Sequence, residues 1–197
     1  MKRAGVEPED AFYDKNARQL QFRTNDPNLD IIRVRSFDSA TFLAFGSAHL
    51  AVAGSDVLME FDHPEIYAPV DLNAGHCHLA VAAPADVAAN EDPRLWSHLR
   101  VATKYPNVTK RFFAARGVQA ECVKLNGALE LAPNLGLCRR IVDLVQTGST
   151  LKANGLVEIE KIAEVSARLA VNRTALKTRP EAVNDLIQRF QEATLAA

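Results

Sequence analysis

Polar and apolar residues alternate through Asp30-Ile31-Ile32-Arg33-Val34-Arg35, with Ile32 and Val34 on one side and Arg33 and Arg35 on the other, which predicts a half-buried strand. Both arginines then project the same way. Asp38 or Ser39 can cap a following helix that carries Phe42, Leu43 and Phe45, and Leu50-Ala51-Val52-Ala53 predicts a short buried strand ending at Gly54-Ser55-Asp56. The order is β-α-β. It repeats downstream: Leu99 to Tyr105 reads as a strand, Asn107 caps a helix with Phe112 and Phe113, Gly117 ends it, and Val118 to Leu125 forms the next strand. A helix between Ala128 and Cys138, a strand from Ile141 to Val145 and another from Ala167 to Asn172 continue the series. Thr178-Arg179-Pro180-Glu181 has capping-box spacing before a terminal helix on which Val183, Leu186, Ile187 and Phe190 recur at helical intervals. The alternation predicts an α/β chain with parallel crossovers. Residues 82 to 93, rich in Ala, Pro and acidic residues, read as a connection, which places a boundary close to residue 98.

A chain of 197 residues can bury about 70% of its unfolded surface without disulfide or metal staples. Its 48% hydrophobic and 24% charged residues are those of an ordinary globular protein. Lys and Arg total 23 against 24 for Asp and Glu, a net charge of −1, so there is no broad basic field for nucleic acid, and a phosphate ligand must be gripped locally. Cys77, Cys122 and Cys138 are odd in number and scattered, which suits reduced thiols in the cytosol. The N-terminus has no apolar signal segment, and the most apolar stretch, Phe42 to Leu58, is broken by Gly46, His49, Gly54 and Asp56. A cytoplasmic protein without a membrane role is expected.

The chemistry gathers at the end of the Ile141 to Val145 strand, where Gln146-Thr147-Gly148-Ser149-Thr150 follows. Gly148 lets backbone N–H groups converge, and the hydroxyls of Thr147, Ser149 and Thr150 add donors for phosphate oxygens. Asp143 lies upstream, in reach of sugar hydroxyls or a metal ion. Such turns also occur as plain strand ends or caps. Lys104 and Lys124 sit at the C-terminal ends of predicted parallel strands, where open α/β sheets bind ligands, although solvated lysines look the same. Glu130 either accepts ribose hydroxyls or favours a helix N-terminus, and Asp56 either contacts ligand or caps a turn. His76 and His78 stand at i and i+2, as two zinc ligands on a strand would, but no further ligand lies at a recognisable spacing. No catalytic triad, Walker A or dinucleotide glycine pattern is present, so covalent catalysis is not indicated.

Several segments resemble, in order and spacing, the ATP phosphoribosyltransferases of histidine biosynthesis: Arg33-Val34-Arg35 with Asp38; Gly54 to Leu58; Arg100 to Asn107; Lys124 to Gly127 with Glu130 to Pro133; and Asp143 to Leu156. The resemblance runs nearly end to end. It implies condensation of ATP with 5-phosphoribosyl 1-pyrophosphate, its Mg²⁺ carried on the pyrophosphate, to N1-(5-phosphoribosyl)-ATP and pyrophosphate. It implies two lobes like those of type II periplasmic-binding proteins, each a mostly parallel sheet flanked by helices: residues 1–98 and 172–197, and residues 99–171. Position by position, Thr147-Gly148-Ser149-Thr150 matches the family's 5-phosphate loop with Asp143 facing the ribose, while Arg33, Lys104, Glu130 and Asp56 lie in matching segments as candidate substrate contacts.

The sequence resembles the short form of the family, which implies a separate regulatory subunit similar to histidyl-tRNA synthetase, assembled in a hetero-octamer. Two departures stand out. The family opens with a strand and Leu-Pro-Lys-Gly-Arg, whereas this chain starts at what looks like the end of the first helix, the expectation being a start at an internal methionine. In Asp71 to His78 the family pattern has glycine at the position of Asn73 and arginines at those of His76 and His78. The alternative expectation is a truncated paralogue that binds nucleotide or the regulatory partner without turnover.

Overall fold

The structure, a computed structural model, describes residues 1–196; Ala197, within the range expected for the first lobe, lies outside them. In chain order the elements are β1 (Gln21–Arg23), β2 (Asp30–Ile32), α1 (Ser36–Ala44), β3 (Leu50–Gly54), α2 (Ser55–Phe61), β4 (Ile66–Asp71), β5 (Cys77–Pro84) and α3 (Ala85–Asn90). There follow β6 (His98–Thr103), α4 (Pro106–Ala114), β7 (Gln119–Lys124), α5 (Leu131–Asn134), β8 (Arg140–Val145), α6 (Ser149–Ala153), β9 (Leu156–Val165), β10 (Ala167–Asn172), α7 (Arg173–Thr178) and α8 (Pro180–Leu195).

The chain divides into two compact units: residues 1–58, 62–74 and 167 onward form the first, and residues 59–61 and 75–166 the second. The sequence placed the divisions near 98 and 171. Residues 75–98 join the second unit because β5 runs between β8 and β9 in its five-stranded sheet, whose order is β7-β6-β8-β5-β9. The supposed connection over 82–93 is therefore the end of an inner strand, followed by α3 and a single 3-10 turn. Its small residues fill a close-packed layer instead of a linker: Leu79, Ala80, Val81, Ala82 and Ala83 are all buried.

In this second unit β6 runs parallel to both β7 and β8, as the crossover pattern predicts, whereas β5 is antiparallel to β8 and β9. The sheet is mixed. One core cluster contains Ala80 and Ala82 of β5, Ala102 of β6 and Ile141 and Val145 of β8, with Leu129, Ala132 and Leu151. Each large side chain so buried contributes about 1.5–3 kcal/mol. Val145 and Leu151 thereby hold both ends of the turn at 146–150.

The first unit departs further from a parallel β-α-β. Its three-stranded sheet has the order β3-β10-β4, with β10 antiparallel to both neighbours, and β2 pairs antiparallel with β1. The strand expected over 30–35 stops at Ile32. Asn172, 3% exposed, ties the unit together: its amide donates to the Leu43 carbonyl oxygen at 2.9 Å, and its side-chain oxygen accepts the Ala175 N–H at 2.8 Å to cap α7. The capping box at Thr178 does not form, because the Thr178 hydroxyl donates back to the Thr174 carbonyl oxygen and α8 begins behind Pro180 without a side-chain cap. The helix expected between 128 and 138 contracts to the single turn of α5, with Ala128 at φ 51° just before it.

Candidate functional site

Strand β8 delivers Asp143 and the 146–150 turn from one continuous segment. Gly148 sits at φ 72°, ψ 2°, a left-handed conformation that admits glycine without strain, and α6 starts at the next residue. The Thr147 and Ser149 hydroxyls lie 2.9 Å apart, and the Ser149 N–H points to the Thr147 oxygen at 3.4 Å. Thr147, Ser149 and Thr150 are exposed, and the space on the side chain's side of Gly148 is open. Hydroxyl and amide donors are thus grouped at a solvent-facing turn, an arrangement suited to phosphate oxygens.

Asp143 is half-buried, and its Oδ1 accepts the Leu144 N–H at 2.8 Å. Burial pushes its pKa up; the Leu144 N–H pulls it back, Glu130 raises it further and Lys104 lowers it. Lys104, Glu130 and Asp143 therefore share one electrostatic neighbourhood. Lys104 comes directly after β6, and Glu130 precedes α5 without making a side-chain cap.

Thr103, which sequence reasoning passed over, fixes the end of β6 against β8. Fully buried, it donates to the Val142 carbonyl oxygen at 2.9 Å and accepts the Tyr105 N–H at 2.9 Å. A hydroxyl ending the apolar pair Val101-Ala102 just before Lys104 was the signal. Lys124 ends β7 on the other side of β6, with its exposed side chain at the edge of the sheet.

Arg33 and Asp56 belong to the first unit. The Arg33 guanidinium donates to the Phe12 carbonyl oxygen and lies over the rings of Phe12 and Phe22, 5.1 and 4.8 Å from their centres. Asp56 is buried in the first turn of α2, so Gly54-Ser55-Asp56 is a strand-to-helix junction and not an open rim loop. Its carboxylate folds over Gly54 into the space that a Cβ there would need.

His78 pairs with Glu158 at 2.8 Å, and among the described residues no three His, Cys, Asp or Glu side chains gather as a metal site. Among the described residues Cys77, Cys122 and Cys138 form no disulfide. No helix among the described residues is long and apolar enough to cross a membrane.

The family profile of the ATP phosphoribosyltransferases (HisG) matches residues 35–192. The chain belongs to the ATP phosphoribosyltransferase family. An ATP phosphoribosyltransferase of Paramagnetospirillum magneticum is 68% identical over 193 residues, covering 98% of this chain and 88% of that protein. One from Rhodospirillum rubrum is 64% identical, covering 96% and 84%. The ATP phosphoribosyl transferase (HisG:HisZ) complex from Thermotoga maritima aligns with a TM-score of 0.82 at 29% identity, over all of this chain and 90% of that one. The ligand-binding component of an ABC-type import system from Staphylococcus aureus, at 12% identity and a TM-score of 0.56 over 86% of this chain and 64% of that one, shares the fold alone. As an ATP phosphoribosyltransferase, the chain is a pentosyltransferase that condenses ATP with 5-phosphoribosyl 1-pyrophosphate to N1-(5-phosphoribosyl)-ATP and pyrophosphate, the first step of histidine biosynthesis. Nothing favours the non-catalytic alternative.

Proposed function

We propose that the turn Thr147-Gly148-Ser149-Thr150 holds the 5-phosphate of the phosphoribosyl substrate, with Asp143 facing its ribose and Lys104 and Glu130 contacting substrate charge and hydroxyls. The observation that carries this is the continuity of Asp143 with the hydroxyl-lined turn, in a neighbourhood whose electrostatics Lys104 and Glu130 share. Arg33 and Asp56 are assigned as further substrate contacts, on their positions in segments matching the family.

In the reaction the lone pair of adenine N1 forms a bond to the ribosyl C1, the C1–O bond breaks, and pyrophosphate departs with the electron pair. Grip at the 5-phosphate anchors the ribose so that C1 meets N1 in line, and the Lys104 ammonium favours negative charge growing on the leaving group. Mg²⁺ carried on the pyrophosphate substrate would supply further neutralisation of that charge.

The Thermotoga maritima relative is a HisG:HisZ complex. On that likeness this chain works with a separate regulatory subunit similar to histidyl-tRNA synthetase, in a hetero-octamer, in the cytoplasm, where its three cysteine thiols stay reduced.

The test is phosphoribosyl-ATP formation by the chain, alone and with the regulatory subunit, in Mg²⁺ and after chelation, together with size exclusion of the co-expressed pair. Product is expected only with Mg²⁺, and the pair is expected to co-elute. An unchanged rate after chelation removes the Mg²⁺ assignment, and separate elution removes the partner.

A further inference from the structure

A cavity of about 470 Å³ opens at the N-terminal ends of β6 and β8, the ends opposite Lys104 and Asp143. Arg140 and Trp96 stand in its wall, the guanidinium carbon 4.3 Å from the centre of the indole. Arg140 is 3% exposed, and its ion-pair partner is Glu91. The same carboxylate also takes Arg139 at 2.9 Å. One negative charge thus serves two guanidiniums, which leaves a positive charge unmatched beside the cavity. Arg100, the other arginine of the wall, is already paired with Glu121.

Two buried donors face the same shortage. Among the described residues the Nε–H of Arg140 and the Nε1–H of Trp96 make no hydrogen bond. A buried donor left unmatched costs about 1–3 kcal/mol, and more when it is charged. Burial accordingly pulls the Arg140 pKa down. Unpaired buried donors, an excess cation and apolar walls from Leu99 and Leu137, in a volume within the usual range of ligand pockets, are the ingredients of an anion site.

We propose that this cavity binds a small organic anion, a carboxylate or a phosphate ester, whose oxygens take the unpaired donors of Arg140 and Trp96 and whose apolar body lies against Leu99 and Leu137. The site is distinct from the Thr147 turn, since it occupies the other end of the same strands.

Trp96 is the only tryptophan in the sequence, so its emission reports on this cavity. The full chain is titrated at constant ionic strength with inorganic phosphate and, separately, with benzoate. A saturable change in Trp96 emission is expected with at least one of them, and the one that responds identifies the anion class. The apparent affinity should fall about tenfold or more in Arg140→Gln and about threefold in the solvent-exposed Arg139→Gln, and stay unchanged in Thr147→Ala. Arg139→Gln leaves the core intact and carries the test if Arg140→Gln does not fold. A saturable response to neither probe, wild-type affinity in the folded arginine variants, or a response lost in Thr147→Ala overturns the proposal.

Discussion

The carboxylate of Glu60 accepts the backbone N–H of Asn107 at 2.9 and 3.0 Å, closing the N-terminus of α4 from a residue 47 positions earlier in the chain. It also takes the Val108 N–H at 2.9 Å, while the Asn107 side chain donates to the Glu60 carbonyl oxygen at 3.1 Å. The cap expected of Asn107 itself is thus supplied from elsewhere. Glu60→Ala strands two N–H groups at the start of a helix and should cost about 2 kcal/mol, lowering Tm by about 4–8 °C. Thermal unfolding measures it, and an unchanged Tm would show that the carboxylate carries no cap.

Asp143 is the residue at which activity and stability oppose one another. Burial raises its native pKa above the ordinary 3.8, so the folded state holds this proton more tightly than the unfolded state does. The favourable contribution is complete below the ordinary value and is lost as pH rises through the native one. Asp143→Asn removes that slope. The variant should therefore melt higher than the wild type at neutral pH, with the difference shrinking toward acid, while kcat/KM drops about a hundredfold. Melting curves from pH 3 to 8 that stay parallel for the two proteins would contradict the buried charge.

Gly148→Ala separates backbone strain from collision. Nothing lies within 4 Å of the added Cβ, yet φ is +72°, so the cost is the left-handed conformation alone, about 1–2 kcal/mol. The variant should fold, lose about 2–8 °C of Tm and bind phosphoribosyl pyrophosphate more weakly as its turn relaxes. Retention of both wild-type values would mean that the turn tolerates another geometry.

Arg33→Lys keeps the charge but loses the planar fork that reaches the Phe12 carbonyl oxygen while lying over two rings. A loss of about 1–2 kcal/mol is expected in chemical denaturation. Full stability with impaired turnover would instead make Arg33 a substrate contact only.

The second unit was more legible than the first because its strands pair with near neighbours in sequence: β6, β7 and β8 follow one another through short helices, and each was expected within two residues of its observed limits. The first unit depends on β10, which pairs with β3 and β4 across about a hundred residues, and no local pattern announces such a partner. The strand β5 was missed because its buried alanines read as small linker residues. The turn at Thr147 was visible because glycine and hydroxyls end an apolar strand there. The partners that set Asp143's charge were named, but their shared neighbourhood emerged only from the fold, as did the Thr103 clasp and the Glu60 cap.

Steady-state kinetics of Thr147→Ala, with phosphoribosyl pyrophosphate and ATP varied in turn, tests the central assignment most directly. Loss of one hydrogen bond to a phosphate should raise KM for phosphoribosyl pyrophosphate about tenfold or more and leave KM for ATP within about twofold of wild type. An unchanged KM for phosphoribosyl pyrophosphate in a folded variant would mean that the 5-phosphate is held elsewhere.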